Sequence, residues 1–367
     1  NLLEVQKFLQ NKTLEDLTLE FGINITYRDD AKLVILNYDQ IESKQKTHPI
    51  VRECRGLILE NIPSYNIVVK SFDRFFNYGE YQEEHNKFNW NNALFFDKID
   101  GSYAVLYYYD DKWNFSTRGS FGTGKVSDLS SKSWFDLFTS TINWNKVDEL
   151  NKNYNYIFEL CSLLNMVVTP HKEDAAYLLA IFNKFGDELI DNDYYNDVAN
   201  LLNVKLPTKH YFENIDHLLK HIENKPYEYE GIVAYDGDIR MKIKNPLYVA
   251  VHHARNNINS ISSLVKLILA GETDEFCTYF PNFKDKLLEY EKFINDAKEN
   301  ITNVWDASKH IENQKEFALK IQGFKYKSLL FLAKKCNKHP LDFKENLEKM
   351  LIDNLKDKTY YGPLHSY

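Results

Sequence analysis

Lysine, glutamate and glycine recur in this sequence in short groups able to do phosphate chemistry. The first group is Lys98-Ile99-Asp100-Gly101-Ser102. A lysine closes a short, mostly apolar run, a glycine follows, and an alternating strand resumes at Tyr103. That places the amine at a strand end or turn, facing a pocket. A lysine amine attacks phosphorus only when neutral, and its reference pKa is about 10.4. Burial or neighbouring cations must lower that value first. Alone the group is weak, because a lysine in a surface turn leaves the same trace.

The second group runs from Glu230 to Lys244. Asp236-Gly237 is a two-residue hairpin signal between two alternating runs. On the second run Arg240, Lys242 and Lys244 share one face, and Ile239, Met241 and Ile243 the other. A cationic stripe is usually a solvated face. Beside a small apolar strand headed by Glu230, it is also placed to grip a polyphosphate. The third group is Ile157-Phe158-Glu159-Leu160, a carboxylate inside an apolar run. Burying a glutamate is costly unless it is paired, so Glu159 marks a structural salt bridge or a contact to ribose hydroxyls or a metal.

Read in order, KxDG, FEL, EGIVA and KIK resemble motifs I, III, IV and V of the covalent nucleotidyltransferases. That superfamily holds ATP-dependent DNA ligases, RNA ligases and mRNA-capping guanylyltransferases. Upstream, Glu53-Cys54-Arg55-Gly56 and Phe72-Asp73-Arg74-Phe75-Phe76-Asn77 resemble the ECRG and KFFN elements of the bacteriophage RNA ligase 1 family. The resemblance is strongest from Arg55 to Tyr248 and only architectural beyond. It implies an ATP-dependent RNA ligase in which Lys98 takes up AMP. By the same resemblance Tyr38, Arg55, Arg74, Phe76, Gly101 and Arg118 would hold ATP. Glu159 and Glu230 would serve the ribose and metal side of the pocket. Lys242 and Lys244 would contact phosphates, and Tyr248 would support the joining steps. Arg74 and Arg118 stand where the family carries lysine, which keeps the charge and changes the donor geometry. Asp274 and Glu275, after Gly271, are placed like the family's acidic metal-binding pair, although an acidic start to an exposed helix reads the same way. The implied cofactors are ATP and Mg2+ or Mn2+. The implied partners are RNA ends bearing a 5′-phosphate and a 3′-hydroxyl, with broken tRNA and RNA repair as the family's context. A DNA ligase, a capping guanylyltransferase, and an RNA-binding protein with a relic nucleotide site are the alternatives. The ECRG and FFN elements and a helical tail oppose the first two, and the intact Lys98, Glu159, Lys242 and Lys244 oppose the third.

These groups need a scaffold. Phe95 to Tyr109, Trp113 to Thr117, Tyr156 to Leu160, Leu178 to Phe182, Gly231 to Tyr235 and Ile239 to Lys244 read as strands. Near residue 255 the pattern turns helical. Leu287, Tyr290, Ile294, Ala297, Ile301 and Val304 form one apolar stripe on a long helix. A second helix covers Tyr326 to Lys335, and a third follows Pro340, where Asp342 and Glu345 resemble a capping box. The expected fold class is α+β, a nucleotidyltransferase domain built on twisted antiparallel sheets over residues 1–254 and an all-α domain over 255–367. In the tail Lys325, Lys327, Lys334, Lys335 and Lys338, interleaved with Phe324 and Tyr326, form a candidate patch for selecting RNA.

Composition bounds the rest. A chain of 367 residues, 44% hydrophobic and 27% charged, has room for two ordinary globular domains. A net charge of −8 excludes holding RNA by bulk charge, so any RNA must meet a local basic groove. Cys54, Cys161, Cys277 and Cys336 lie far apart, which fits a reducing compartment and offers no zinc site. No apolar run approaches membrane-spanning length and no signal-peptide pattern is seen. A soluble protein of the cytoplasm is therefore expected, the host's if the source is viral. Gly119 to Lys125, GSFGTGK, fits a P-loop until Val126 replaces the magnesium-binding hydroxyl, and reads as a hairpin or substrate-facing loop. His217 and His221 share a helix face with no third ligand nearby, and read as solvated.

Overall fold

In the computed structural model, which describes residues 2–127, 130–254 and 260–360, β-branched and aromatic runs pair into three sheets. The first sheet orders Ile23–Tyr27, Leu33–Tyr38, Arg55–Glu60 and Ile67–Val69, all antiparallel. The second orders Ala175–Asn183, Tyr154–Cys161, Ser102–Tyr109 and Lys112–Thr117, again antiparallel. The third orders Lys209–His210, Leu94–Asp97, Gly231–Tyr235, Arg240–Lys244 and Phe76–Asn77, with only the last pair parallel. The chain is α+β, and its contacts divide it into units Asn1–His252 and His253–Tyr367.

The first two sheets pack face to face. Leu33, Ile35, Ile58 and Val69 meet Val105, Tyr107, Ile157 and Ala180 in one buried cluster. Their outer faces are covered by helices. Val5, Leu9 and Leu17 lie on Val34, Leu36 and Leu57, while Leu137, Phe138, Val198 and Leu202 lie on Leu106, Phe158 and Leu178. Burial on both faces explains why these strands read as continuous apolar runs. The third sheet buries one face, where Phe95, Ile232, Met241 and Ile243 meet Phe212, Leu218 and Ile222. Its other face, carrying Phe96, Val233, Arg240, Lys242 and Lys244, is only partly buried.

One turn differs from the sequence reading and one agrees with it. The loop after the Gly231–Tyr235 strand has four residues, because Tyr235 pairs with Arg240 and the Asp236 carboxylate accepts the N–H groups of Asp238 and Ile239. An Asx turn there outcompetes the two-residue hairpin. The GSFGTGK segment forms a tight turn closed by Thr117 and Ser120, and the next helix begins only at Trp134. Among the described residues no helix starts directly after Lys125 to cradle a phosphate, in keeping with a hairpin or loop. Nor is His221 solvated: it packs against His210, Phe212 and Tyr229, while His217 is exposed.

In the C-terminal unit the Lys284–Ser308 helix buries Leu287, Tyr290, Ile294, Ala297, Ile301 and Trp305 against the Ile261–Leu269, Lys327–Cys336 and Lys344–Tyr360 helices. Asp342 does not cap the last helix with Glu345. Its carboxylate accepts the His339 N–H and closes the Pro340–Asp342 turn. The basic patch is smaller than its sequence. Lys334 Nζ donates to the carbonyls of Lys309 at 2.7 Å and Ile311 at 2.6 Å, stitching the end of the long helix, and Tyr326 lies in the core. Lys325, Lys327, Lys335 and Lys338 stay exposed. No described helix is long and apolar enough to cross a membrane.

Candidate active site

Residues 98 to 101 carry the chain from the Leu94–Asp97 strand of one sheet to the Ser102–Tyr109 strand of another. The Lys98 N–H donates to the Gly231 carbonyl at 2.8 Å, at the point where the strands part. Gly101 crosses the Tyr154–Cys161 strand so closely that a Cβ would lie 2.6 Å from the Leu160 carbonyl oxygen and 3.1 Å from Glu159 Cγ. Asp100 is buried, and its carboxylate accepts the N–H groups of Val168 at 3.0 Å and Thr169 at 2.7 Å and the Tyr248 hydroxyl at 2.9 Å. The aspartate and glycine of the group therefore fix the loop that aims the lysine.

Lys98 Nζ lies 2.7 Å from Glu230 Oε1, and Lys244 Nζ lies 3.9 Å from the same oxygen. Glu230 is 5% exposed, and the Lys98 ammonium at hydrogen-bond distance offsets most of the cost of burying its charge. Gly231 has φ of +149°, and a Cβ there would meet the Ile243 carbonyl at 2.1 Å. Asn245 steadies the same turn, donating its N–H to the Glu230 carbonyl at 2.7 Å and Nδ2 to the carbonyls of Pro226 and Tyr229.

Lys98 and Glu159 line a cavity together with Arg55, Phe72, Phe75 and Arg240. Aromatic walls beside cationic groups suit a base and its phosphates. Burial pushes the Glu159 carboxyl up to about 8, with Lys98 opposing and Glu230 reinforcing the rise. A second cluster adjoins Arg55. The Arg74 and Arg118 guanidiniums lie 4.1 and 4.5 Å from the Tyr38 ring centre, and Asn37 Oδ1 accepts both the Gly56 N–H and Arg118 Nε. Burial raises the Tyr38 phenol, but Arg118, Arg55, Arg74 and Lys242 outweigh it and bring it down to about 8. Burial likewise lowers Arg118.

Nη1 of Arg55 and Nη1 of Arg74 are buried donors without a partner. Buried donors are normally satisfied, and phosphate oxygens are the natural acceptors for two guanidiniums. The residues present therefore fit a polyphosphate. A divalent cation beside Glu159 would offset the cost of burying its carboxylate.

Among the residues singled out from sequence, Arg55, Lys98 and Glu159 line the cavity, Gly101 and Glu230 touch that lining, and Lys244 and Tyr248 lie one contact further out, on Glu230 and Asp100. Lys242 Nζ sits 6.0 Å from the Phe75 ring. Phe76 faces elsewhere: it is buried, with Arg52 and Arg74 each 5.2 Å from its ring centre and Tyr81 packed edge-on at 4.4 Å. Asp274 and Glu275 stand in the first turn of the Thr273–Tyr279 helix of the C-terminal unit. Sequence reasoning missed Phe72, Phe75 and Asn37; the available signal for Asn37 was a lone amide in the apolar Leu33–Tyr38 run. It also underrated Arg240, which is bound to Glu188 and lies 3.9 Å from the Tyr235 ring centre.

An amine paired with a buried carboxylate, beside orphaned guanidinium donors, is equipment for an enzyme that handles nucleoside polyphosphates. A family model described as RNA ligase matches residues 53–248, and the chain belongs to that family. A putative bifunctional polynucleotide kinase/RNA ligase of Autographa californica nuclear polyhedrosis virus is 30% identical over 359 residues, covering 91% of this chain and 50% of that protein. The chain thus spans about half the length of that relative. The RNA ligase of Rhodothermus phage RM378 is 25% identical over 353 residues, covering 76% of this chain and 80% of its own. An archaeal ATP-dependent RNA ligase of solved structure aligns over 95% of this chain and 79% of its own at 9% identity, with a TM-score of 0.47.

Proposed function

We propose that the chain is an ATP-dependent RNA ligase that works through a lysyl-AMP intermediate on Lys98. The observation that carries this reading is the Lys98–Glu230 pair, 2.7 Å apart, on the edge of a cavity lined by Arg55, Arg240 and aromatic rings. Lys98 Nζ attacks the α-phosphorus of ATP, a P–N bond forms, the α–β bridge breaks, and pyrophosphate leaves. Glu230 Oε1 is the acceptor placed to take the lysine proton. AMP then passes to the 5′-phosphate of an RNA end, and the 3′-hydroxyl of a second end displaces it and closes the phosphodiester. Arg55, Arg74, Arg118, Lys242 and Lys244 bind phosphate oxygens and stabilise the charge that moves toward the leaving group. Mg2+ or Mn2+, held by Glu159 and Glu230, would neutralise charge on the phosphates.

The RNA ends joined are those of broken tRNA in RNA repair, in the cytoplasm, and the C-terminal unit selects them. The exposed Lys325, Lys327, Lys335 and Lys338 support that last role. The test is incubation with α-labelled ATP or GTP, then a denaturing gel. A band labelled by ATP supports the reading, a band labelled by GTP alone would make it a guanylyltransferase, and no label would leave a binding protein.

A further inference from the structure

The two residues that precede Lys98 and Glu230 in sequence are bonded to each other. The Tyr229 hydroxyl donates to Asp97 Oδ1 at 2.6 Å, and His210 Nε2 donates to the same oxygen at 2.7 Å. Asp97 ends one strand, His210 lies on the neighbouring short strand, and Tyr229 leads into the strand on the other side. We infer that Asp97, Tyr229 and His210 form a positioning clamp that holds the Lys98 strand end against the Glu230 turn, so that the Lys98 amine stays on line for attack. This inference rests on the adenylylation chemistry proposed above.

The need for a clamp follows from where the sheet stops. The backbone ladder between these strands ends at the Lys98 N–H to Gly231 carbonyl bond, and beyond it the chain leaves for another sheet. Strand ends fray where the ladder gives out. On the Glu230 side, Asn245 fixes the backbone of the turn from one flank. On the Lys98 side, Asp100 anchors the loop that follows, and the Asp97 carboxylate adds a side-chain bond across to Tyr229 just before the lysine. Both donors meeting Oδ1 are themselves braced. His210 lies between Phe212 and His221, with ring centres 5.8 and 4.9 Å away, and His221 packs on Tyr229 at 6.0 Å. Burial, then the bond to Asp97, raises the Tyr229 phenol, which keeps it a donor through the working pH range. Asp97 also lines the cavity, whereas Tyr229 and His210 do not, so changes at those two separate positioning of Lys98 from contact with the nucleotide.

A displacement of about 1 Å at a reacting atom can cost on the order of a hundredfold in rate. Tyr229→Phe and His210→Ala should therefore slow single-turnover formation of the Lys98–AMP adduct by roughly tenfold to a hundredfold. The ATP concentration for half-maximal rate should change less than about threefold on the same reasoning. Sealing of RNA supplied already 5′-adenylated does not use the Lys98 amine and should fall by at least tenfold less than adduct formation, roughly. Asp97→Asn, which keeps the acceptor oxygen, should be milder than Asp97→Ala. Adduct formation at the wild-type rate in Tyr229→Phe and Asp97→Ala would overturn the clamp. So would equal losses in adduct formation and in sealing, which would mark a merely structural network. Failure of the wild-type chain to form any adduct would instead remove the underlying ligase chemistry.

Discussion

Glu159→Gln should make the protein more stable while crippling it. Burial raises the Glu159 carboxyl from its ordinary 4.5 to about 8. A raised carboxyl means that the folded chain holds a proton that the unfolded chain releases. Stability therefore falls as pH climbs from 4.5 toward 8, and the penalty is full above about 8. At about 1.36 kcal/mol per pH unit, that span is worth at most about 5 kcal/mol. Glu159 is partly open to the cavity, and solvent screening reduces the penalty to about 2 kcal/mol. Glutamine removes the titration and keeps the shape. Its melting temperature should match the wild type near pH 4.5 and exceed it by about 4–8 °C at pH 8.5, measured without nucleotide. Adenylylation should fall in the same variant, a trade of stability for activity. A difference in melting temperature that is flat with pH, or lower stability for the variant at pH 8.5, would refute the reasoning.

On the cationic strand, Lys244→Ala should slow adduct formation by about two orders of magnitude with little loss of stability. Arg240→Ala should instead leave Glu188 buried and unpaired and lower unfolding free energy by about 3–5 kcal/mol, read by denaturant melts; equal small effects would mean a solvated face. Gly101→Ala forces a methyl group toward the Leu160 carbonyl, 2.6 Å away. It should cost about 1–3 kcal/mol in stability and slow the adduct reaction more than ATP binding. A fragment of residues 1–252 should still form lysyl-AMP but seal structured RNA more weakly than the full chain, compared on simple and structured substrates.

The parts of the site legible in the sequence were those with a local signature. The alternation around Lys242 is carried by residues two apart, the run around Glu159 is apolar nearly throughout, and KxDG announces its own turn. The long C-terminal helix was equally plain, because its buried residues repeat every three or four positions. What stayed hidden depends on partners distant in sequence. Arg240 looked like one of three equal cations, and only the fold brings Glu188 to it. Phe75 and Phe76 are adjacent and alike, yet one lines the cavity and the other packs inward, a choice made by the short parallel pairing of Phe76 with Met241. The tail lysines read as one patch until Lys334 was found on two carbonyls.

The account stands most directly on the identity of the nucleophile. Wild-type protein incubated with ATP and a divalent cation, digested and sequenced by mass spectrometry, should carry one AMP on the peptide containing Lys98. Lys98→Ala should carry none, yet should still seal RNA supplied with a 5′-adenylate. AMP mapped to another lysine, or an undiminished adduct in Lys98→Ala, would contradict it.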